Sequence, residues 1–323
     1  MEAVPEPCWI RVRWITQMPV PLFAVTMGHA GLGLAWRSAH ATFGLPAAVG
    51  EALMAFAAVA FALVALVYAL KLMTCPGSVA SDFRHPVTMN FFPAISIGLL
   101  LLAAGALPHA PRLAEALWVA GTILHLALAV TIIGRWIRQN TEIQHASPAW
   151  FIPVVGNIVV PIAGVPLGYE TVSWFFFAVG LTFWVPLFTI VLYRLIFHDP
   201  LPPRIAPLLF ILIAPPAAGF LAYMQLNGGT LDVLGYLLAA SALFIALVLA
   251  GIAGLFVRLP FALSWWAFTF PAAALSCAMT EVHALLPSLA TQVVAFAALA
   301  FATGIIALVT VRTLTALVTG RLF

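Results

Sequence analysis

The chain has 323 residues, of which 64% are hydrophobic and 7% charged, against roughly 45–50% and 25% in soluble domains. Its mean hydropathy is +1.13, and the net charge of +3 comes from scattered basic residues, not from a stripe. This excludes an ordinary soluble enzyme or nucleic-acid binder and points to an integral membrane protein. Three cysteines, Cys8, Cys75 and Cys277, show no CxxC or metal spacing, so neither a disulfide nor zinc is implied.

Arg11 and Arg13 precede a long apolar run without a small-residue cleavage site. Residues 1–17 therefore read as a cytoplasmic N-terminal flank and not as a removable signal. One membrane domain is expected over 18–318, with a short cytoplasmic end at 319–323.

A bilayer core of about 30 Å needs about 20 helical residues per crossing. Ten runs approach or exceed that length: about 18–36, 45–71, 87–107, 113–134, 149–168, 173–195, 205–225, 231–257, 261–283 and 287–315. With an even number of spans both termini share a side. That side collects Arg11, Arg13, Lys71, Arg84, Arg135, Arg138, Arg194, Arg204, Arg258, Arg312 and Arg321, while the other receives only Arg37 and Arg112. By the positive-inside rule both termini are cytoplasmic, in a plasma (inner) membrane. Trp9, Trp14, Trp36, Trp118, Trp136 and Trp150 fall near the expected interfaces, as anchoring aromatics do.

Prolines separate the odd spans from the even. Pro19 and Pro21, Pro93, Pro153 and Pro161, Pro215 and Pro216, and Pro271 all lie in odd spans; Pro186 is the exception in an even one. Kinked backbone is tolerated at membrane depth where protein or a water-filled cavity covers it. The expected fold is therefore all-α: ten transmembrane helices as five hairpins around a central pore, with proline-kinked odd helices inside.

The ninth span carries Trp265-Trp266-Ala267-Phe268-Thr269-Phe270-Pro271. Pro271 lacks an N–H, so in a continuous α-helix the Ala267 carbonyl loses its partner and the helix bends. A bulky ring at such a bend can plug a cavity, making Phe270 the candidate gate and Pro271 its hinge; the other reading is that Phe270 only packs between helices. Phe92-Pro93-Ala94 in span three echoes Phe270-Pro271-Ala272. Pore-lining candidates are Thr26, Phe92, Ser96, Asn157, Thr269 and Ser276, although hydroxyls and amides in helices often bond their own backbone.

The odd spans hold no Asp, Glu, Lys or Arg at mid-depth. A cation pathway would call for an acidic ring or a carbonyl filter. An anion pathway can do without fixed charge and would favour weakly hydrated monovalent anions. His29 is the titratable candidate for a coupling site, while His125 lies on an even span. Glu281 and His283 fit a vestibule at the end of span nine. No nucleophile elbow, P-loop, HExxH or dinucleotide turn is present, so no enzyme, cofactor or metal is expected.

Across nearly its whole length the chain resembles the tellurite-resistance and slow-type anion channel family in its bacterial-type form, a family that includes malate and sulfite transporters. The resemblance rests on the ninth-span motif above, on Asn90-Phe91-Phe92-Pro93-Ala94-Ile95-Ser96 and on Gly31-Leu32-Gly33-Leu34-Ala35-Trp36. It implies five hairpins about a pseudo-fivefold axis, a homotrimer with one pore per subunit, and occlusion by the phenylalanine that matches Phe270. The leading function is passive passage of small monovalent anions of the chloride or nitrate type. The alternative is a proton-coupled transporter of dicarboxylate, sulfite or tellurite-type oxyanions. A third class is a membrane scaffold or sensor with a blocked pore.

Overall fold

A computed structural model describes residues 13–320. Cys8, Trp9, Arg11 and Arg321, with most of the expected N-terminal flank, lie outside the described residues. The principal helices are α1 (Ala24–Phe43), α2 (Ala47–Thr74), α3 (Pro93–Ala106), α4 (Pro111–Arg138) and α5 (Val160–Gly164). They continue with α6 (Glu170–Phe197), α7 (Ala214–Leu226), α8 (Val233–Gly251), α9 (Thr269–Leu285) and α10 (Leu289–Val318). No strand occurs among the described residues.

Each odd helix is entered through a 3-10 stretch: Val20–Phe23 before α1, Thr88–Phe91 before α3, Gly156–Val159 before α5, Ala206–Ile213 before α7 and Leu263–Phe268 before α9. The prolines explain the change of winding. Pro93 opens α3, Pro161 is second in α5, Pro215 and Pro216 follow Ala214, and Pro271 is third in α9. In a first turn the N–H has no intrahelical acceptor, so a proline there forfeits no hydrogen bond. Its ring does obstruct the carbonyl four residues back, which favours the tighter 3-10 turn upstream. The bend expected inside the ninth span is thus a junction between two helix types.

Seven stretches are long and apolar enough to cross a membrane: Ala47–Thr74, Thr88–Ala106, Pro111–Arg138, Glu170–Phe197, Ala206–Leu226, Val233–Gly251 and Leu289–Val318. Of the three other expected runs, Pro148–Gly164 is a shorter apolar helix. The other two, built on α1 and α9, are diluted by His29, Arg37 and His40 and by Thr280, Glu281 and His283. The molecule is a multi-pass membrane protein built from helices.

Burial sorts these stretches into two shells. The most apolar windows of Thr88–Ala106 and Ala206–Leu226 are 78% and 89% buried, whereas those of α2, α4, α6, α8 and α10 are 17–33% buried. The odd helices touch in sequence order, α1 on α3, α3 on α5, α5 on α7 and α7 on α9, and α9 closes the circle on α1. Each packs also on the even helix that follows it. Close approach needs small residues in places: a Cβ on Gly156 would lie 2.5 Å from the His125 ring.

A surface helix, Pro76–Arg84, follows α2. The buried Lys71 ammonium donates to Asp82 at 2.6 Å and to the Met18 carbonyl at 2.9 Å. Pairing of this kind makes a buried lysine tolerable. Arg135 donates to the carbonyls of Phe83 and Arg84 and so caps the far end. Cys75, immediately before this helix, is disulfide-bonded, against the expectation from cysteine spacing, while Cys277 is free and buried.

Candidate functional site

The ring of odd helices encloses two cavities. The first, with about 740 Å³ of empty space, lies towards their 3-10 ends and takes wall residues from all five segments, among them Met27, Ile97, Val155, Ile211 and Phe270. The second, about 720 Å³, lies further along the same helices and is lined by Leu34, Leu101, Ile162, Leu221 and again Phe270. Only Phe270 and Ala218 belong to both walls. Of these two shared residues Phe270 is by far the larger.

Three helices contribute matching stripes. Met27, Gly31, Leu34 and Ser38 on α1, Ala214, Ala218, Leu221 and Gln225 on α7, and Phe270, Ala274, Cys277 and Glu281 on α9 all line the cavities. Each set is spaced 0, 4, 7 and 11, which keeps one face of an α-helix. Each stripe ends on a polar residue, so the second cavity has a polar mouth of Ser38, Gln225 and Glu281. The first cavity is apolar throughout apart from Ser264, whose hydroxyl donates to the Arg204 carbonyl. Glu281 is the one charged side chain lining either cavity among the described residues.

Gly31 gives the Phe270 ring its seat. A Cβ there would lie 3.1 Å from the Ala273 Cβ and 3.4 Å from Cδ2 of Phe270.

The six polar or aromatic pore candidates line neither cavity. Thr26, Ser96, Thr269 and Ser276 each precede by one residue a wall residue: Met27, Ile97, Phe270 and Cys277. Phe92 and Asn157 each follow one, Phe91 and Gly156. One residue turns the side chain by about 100°, away from the cavity and into a helix contact. There the hydroxyl of Thr269 donates to the Trp266 carbonyl at 2.7 Å and the Asn157 amide donates to Val154 at 2.6 Å. Ser96 donates to Pro93 and meets His125 Nδ1 at 2.8 Å. Thr26 and Ser276 are fully buried. Phe92 packs edge-on against Phe83, 4.9 Å between centroids, and against Tyr68.

Pro271 lines the first cavity beside Phe270. His29 lines neither central cavity: its Nδ1 bonds the Val25 carbonyl and its Nε2 faces the Thr310 hydroxyl at 3.1 Å, in an open apolar groove between α1, α2 and α10. His283 also turns away, stacking on Phe43 and bonding Thr291. Among the described residues no three of His, Cys, Asp or Glu converge as a metal ion would need. Phe91, Ser38 and Gln225 are the wall residues that residue chemistry alone passes over; the 0, 4, 7, 11 spacing is the signal that marks the last two.

A family model described as voltage-dependent anion channel matches residues 17–314. The chain belongs to that family. It is 28% identical over 309 residues to the S-type anion channel SLAH3 of Arabidopsis thaliana, covering 93% of this chain and 48% of the relative. To the guard cell S-type anion channel SLAC1 of the same plant it is 24% identical over 312 residues, 93% of this chain and 56% of the relative. The tellurite resistance protein TehA homolog of Haemophilus influenzae is 26% identical over 308 residues, 95% and 93% of the two chains. The chain thus spans about half the length of these plant relatives. These relatives are named as channels or resistance proteins, not as enzymes.

Proposed function

We propose, with family membership as the premise, that the protein is a channel for small monovalent anions such as chloride and nitrate, closed at rest by Phe270. In this reading ten membrane passages form five hairpins, the two cavities are one interrupted pore inside each subunit, and Pro271 marks the hinge beside the gate. The assembly is a homotrimer in the plasma (inner) membrane with both termini cytoplasmic. The single observation that carries the reading is that the Phe270 ring is shared by two cavities lined from the same helices.

Wall chemistry supports an unaided passage over a coupled one. No titratable side chain lines the first cavity and His29 bonds away from both, which leaves Glu281 and Cys277 in the second wall as the titratable groups on the path. A coupled transporter of dicarboxylate, sulfite or tellurite-type oxyanions needs a proton-binding group on the path. An apolar wall offers little to replace a hydration shell, so ease of dehydration ranks the anions and divalent species pass worst.

The test is anion efflux from liposomes holding purified protein, wild type beside Phe270→Ala, with chloride, nitrate and a dicarboxylate. The channel reading expects greater flux in the variant, nitrate ahead of chloride and the dicarboxylate last. Equal, saturable, pH-driven flux in both proteins would replace it with a carrier.

A further inference from the structure

Outside the central ring, a third cavity opens where the Thr88–Phe91 stretch, the end of α4 and the Pro148–Trp150 turn meet. Its wall holds Arg84, Arg135, His145, Asn140, Trp136 and Trp150, and no carboxylate. We propose that this cavity binds a phosphate-bearing ligand.

Two arginines with different duties set the chemistry. The guanidinium of Arg135 uses three of its five N–H donors, with Nη1 and Nη2 on the carbonyls of Phe83 and Arg84 at 2.8 Å and Nε on Gln139 at 2.9 Å. It contributes a fixed positive charge and few free donors. Arg84 is exposed, and its side chain takes no acceptor among the described residues, so its planar set of donors is available. Guanidinium groups match phosphate oxygens in geometry and charge, and such bonds are stronger than neutral ones.

The rest of the wall is equally donor-rich. The indole N–H of Trp136 is buried without an acceptor among the described residues. Trp136 and Trp150 stack at 4.9 Å between centroids and give the cavity an apolar flank. The cavity lies at the end of α4, where the apolar run gives way to Arg135 and Arg138. A phospholipid headgroup and a soluble phosphate monoester share the required chemistry there. Met89 and Trp150 in this wall lead, within two residues, to Phe91 and Phe151 of the first central cavity. A ligand here sits between the first turns of two inner segments.

The experiment is calorimetric titration of the purified full chain in detergent at low ionic strength. The probes are glycerol 3-phosphate, short-chain phosphatidylglycerol, and short-chain phosphatidylcholine as the zwitterionic control. Binding of at least one anionic probe is expected, weakened about tenfold in Arg84→Gln and less in His145→Ala, consistent with loss of a charge-assisted contact. Thermal stability should stay unchanged in both variants. Saturation by glycerol 3-phosphate identifies a soluble ligand; preference for phosphatidylglycerol identifies the membrane. Binding of neither anionic probe above the control, or equal affinity in wild type and Arg84→Gln, overturns the proposal. None of these readouts depends on whether the protein conducts anions.

Discussion

Phe92-Pro93-Ala94 and Phe270-Pro271-Ala272 are the same tripeptide in two inner segments, yet their phenylalanines have opposite fates. Phe270 lines two cavities, while Phe92 is buried against Tyr68 and Phe83 outside them. The 3-10 winding also stops at a different point in each. Before α3 it ends at Phe91, two residues ahead of the proline; before α9 it ends at Phe268, three ahead. A 3-10 turn advances about 120° per residue and an α turn about 100°. A one-residue shift of the junction alters the phase by only about 20°, yet the residue on the cavity wall is Phe91 in one segment and Phe270 in the other. A repeated motif fixes the turn and not what the turn displays.

The sharpest way to break this comparison is to truncate both rings. Phe270→Ala should raise anion flux in liposomes by roughly tenfold or more, because a constriction that excludes water is widened. Phe92→Ala should leave flux per folded protein unchanged but lower stability by about 3–5 kcal/mol, the usual cost of emptying a buried aromatic site. Similar flux gains in both would erase the distinction.

Next in size is Gly156→Ala, at a wall position of the first cavity. Its Cβ would collide with the His125 ring and, at 2.8 Å, with Ile97. Overpacking should cost about 1–3 kcal/mol, read as a lower melting temperature in detergent. An unshifted melt would show that the contact yields freely.

Smaller is the effect of Glu281→Gln at the polar mouth. With no cation in that wall, the carboxylate repels arriving anions, and its removal should raise anion flux about two- to threefold at low salt. The gain should vanish at high salt.

The smallest change concerns Asp232, the N-cap of α8, whose carboxylate accepts from the Gly235 amide and the Tyr223 hydroxyl. These bonds, the amide first, hold its carboxyl below the ordinary carboxylate range. A depressed value in the folded state means the stabilisation is complete above the ordinary range and fades as pH falls through the lowered value. Asp232→Asn should therefore melt lower than wild type at neutral pH, with the gap closing in acid. A gap independent of pH would assign the cap to geometry alone.

Much of the fold was legible. Apolar runs located the helices, and the prolines of the odd segments separated an inner set from an outer one because buried backbone tolerates them. Of the site residues named from the sequence, Phe270 and Pro271 line a central cavity. Thr26, Phe92, Ser96, Asn157, Thr269 and Ser276 were attractive for their chemistry, but each stands one residue from the wall. Which residue of a buried helix faces the axis is set by packing against four neighbours, which composition does not encode. The stripes ending at Ser38, Gln225 and Glu281 carried the missing information faintly, since alanine, glycine and leucine are common everywhere in such helices. Chemistry selected polar residues, while the ring of helices spent its polar residues on contacts and left its axis apolar.

The outer helices are unequal in length, and this makes the molecule sensitive to its solvent in one sector. At 1.5 Å per residue, α2, α4 and α6, with 28 residues each, and α10, with 30, are about 42–45 Å long, while α8, with 19, is about 28 Å. A hydrocarbon layer of about 30 Å matches α8 and falls short of the rest, which must lean or project. Thickening the bilayer would bring those four helices closer to a match and strand α8. Any strain from a change in lipid chain length would then fall on the α7–α8 side of the ring, the side that contributes Ala218 to both cavity walls.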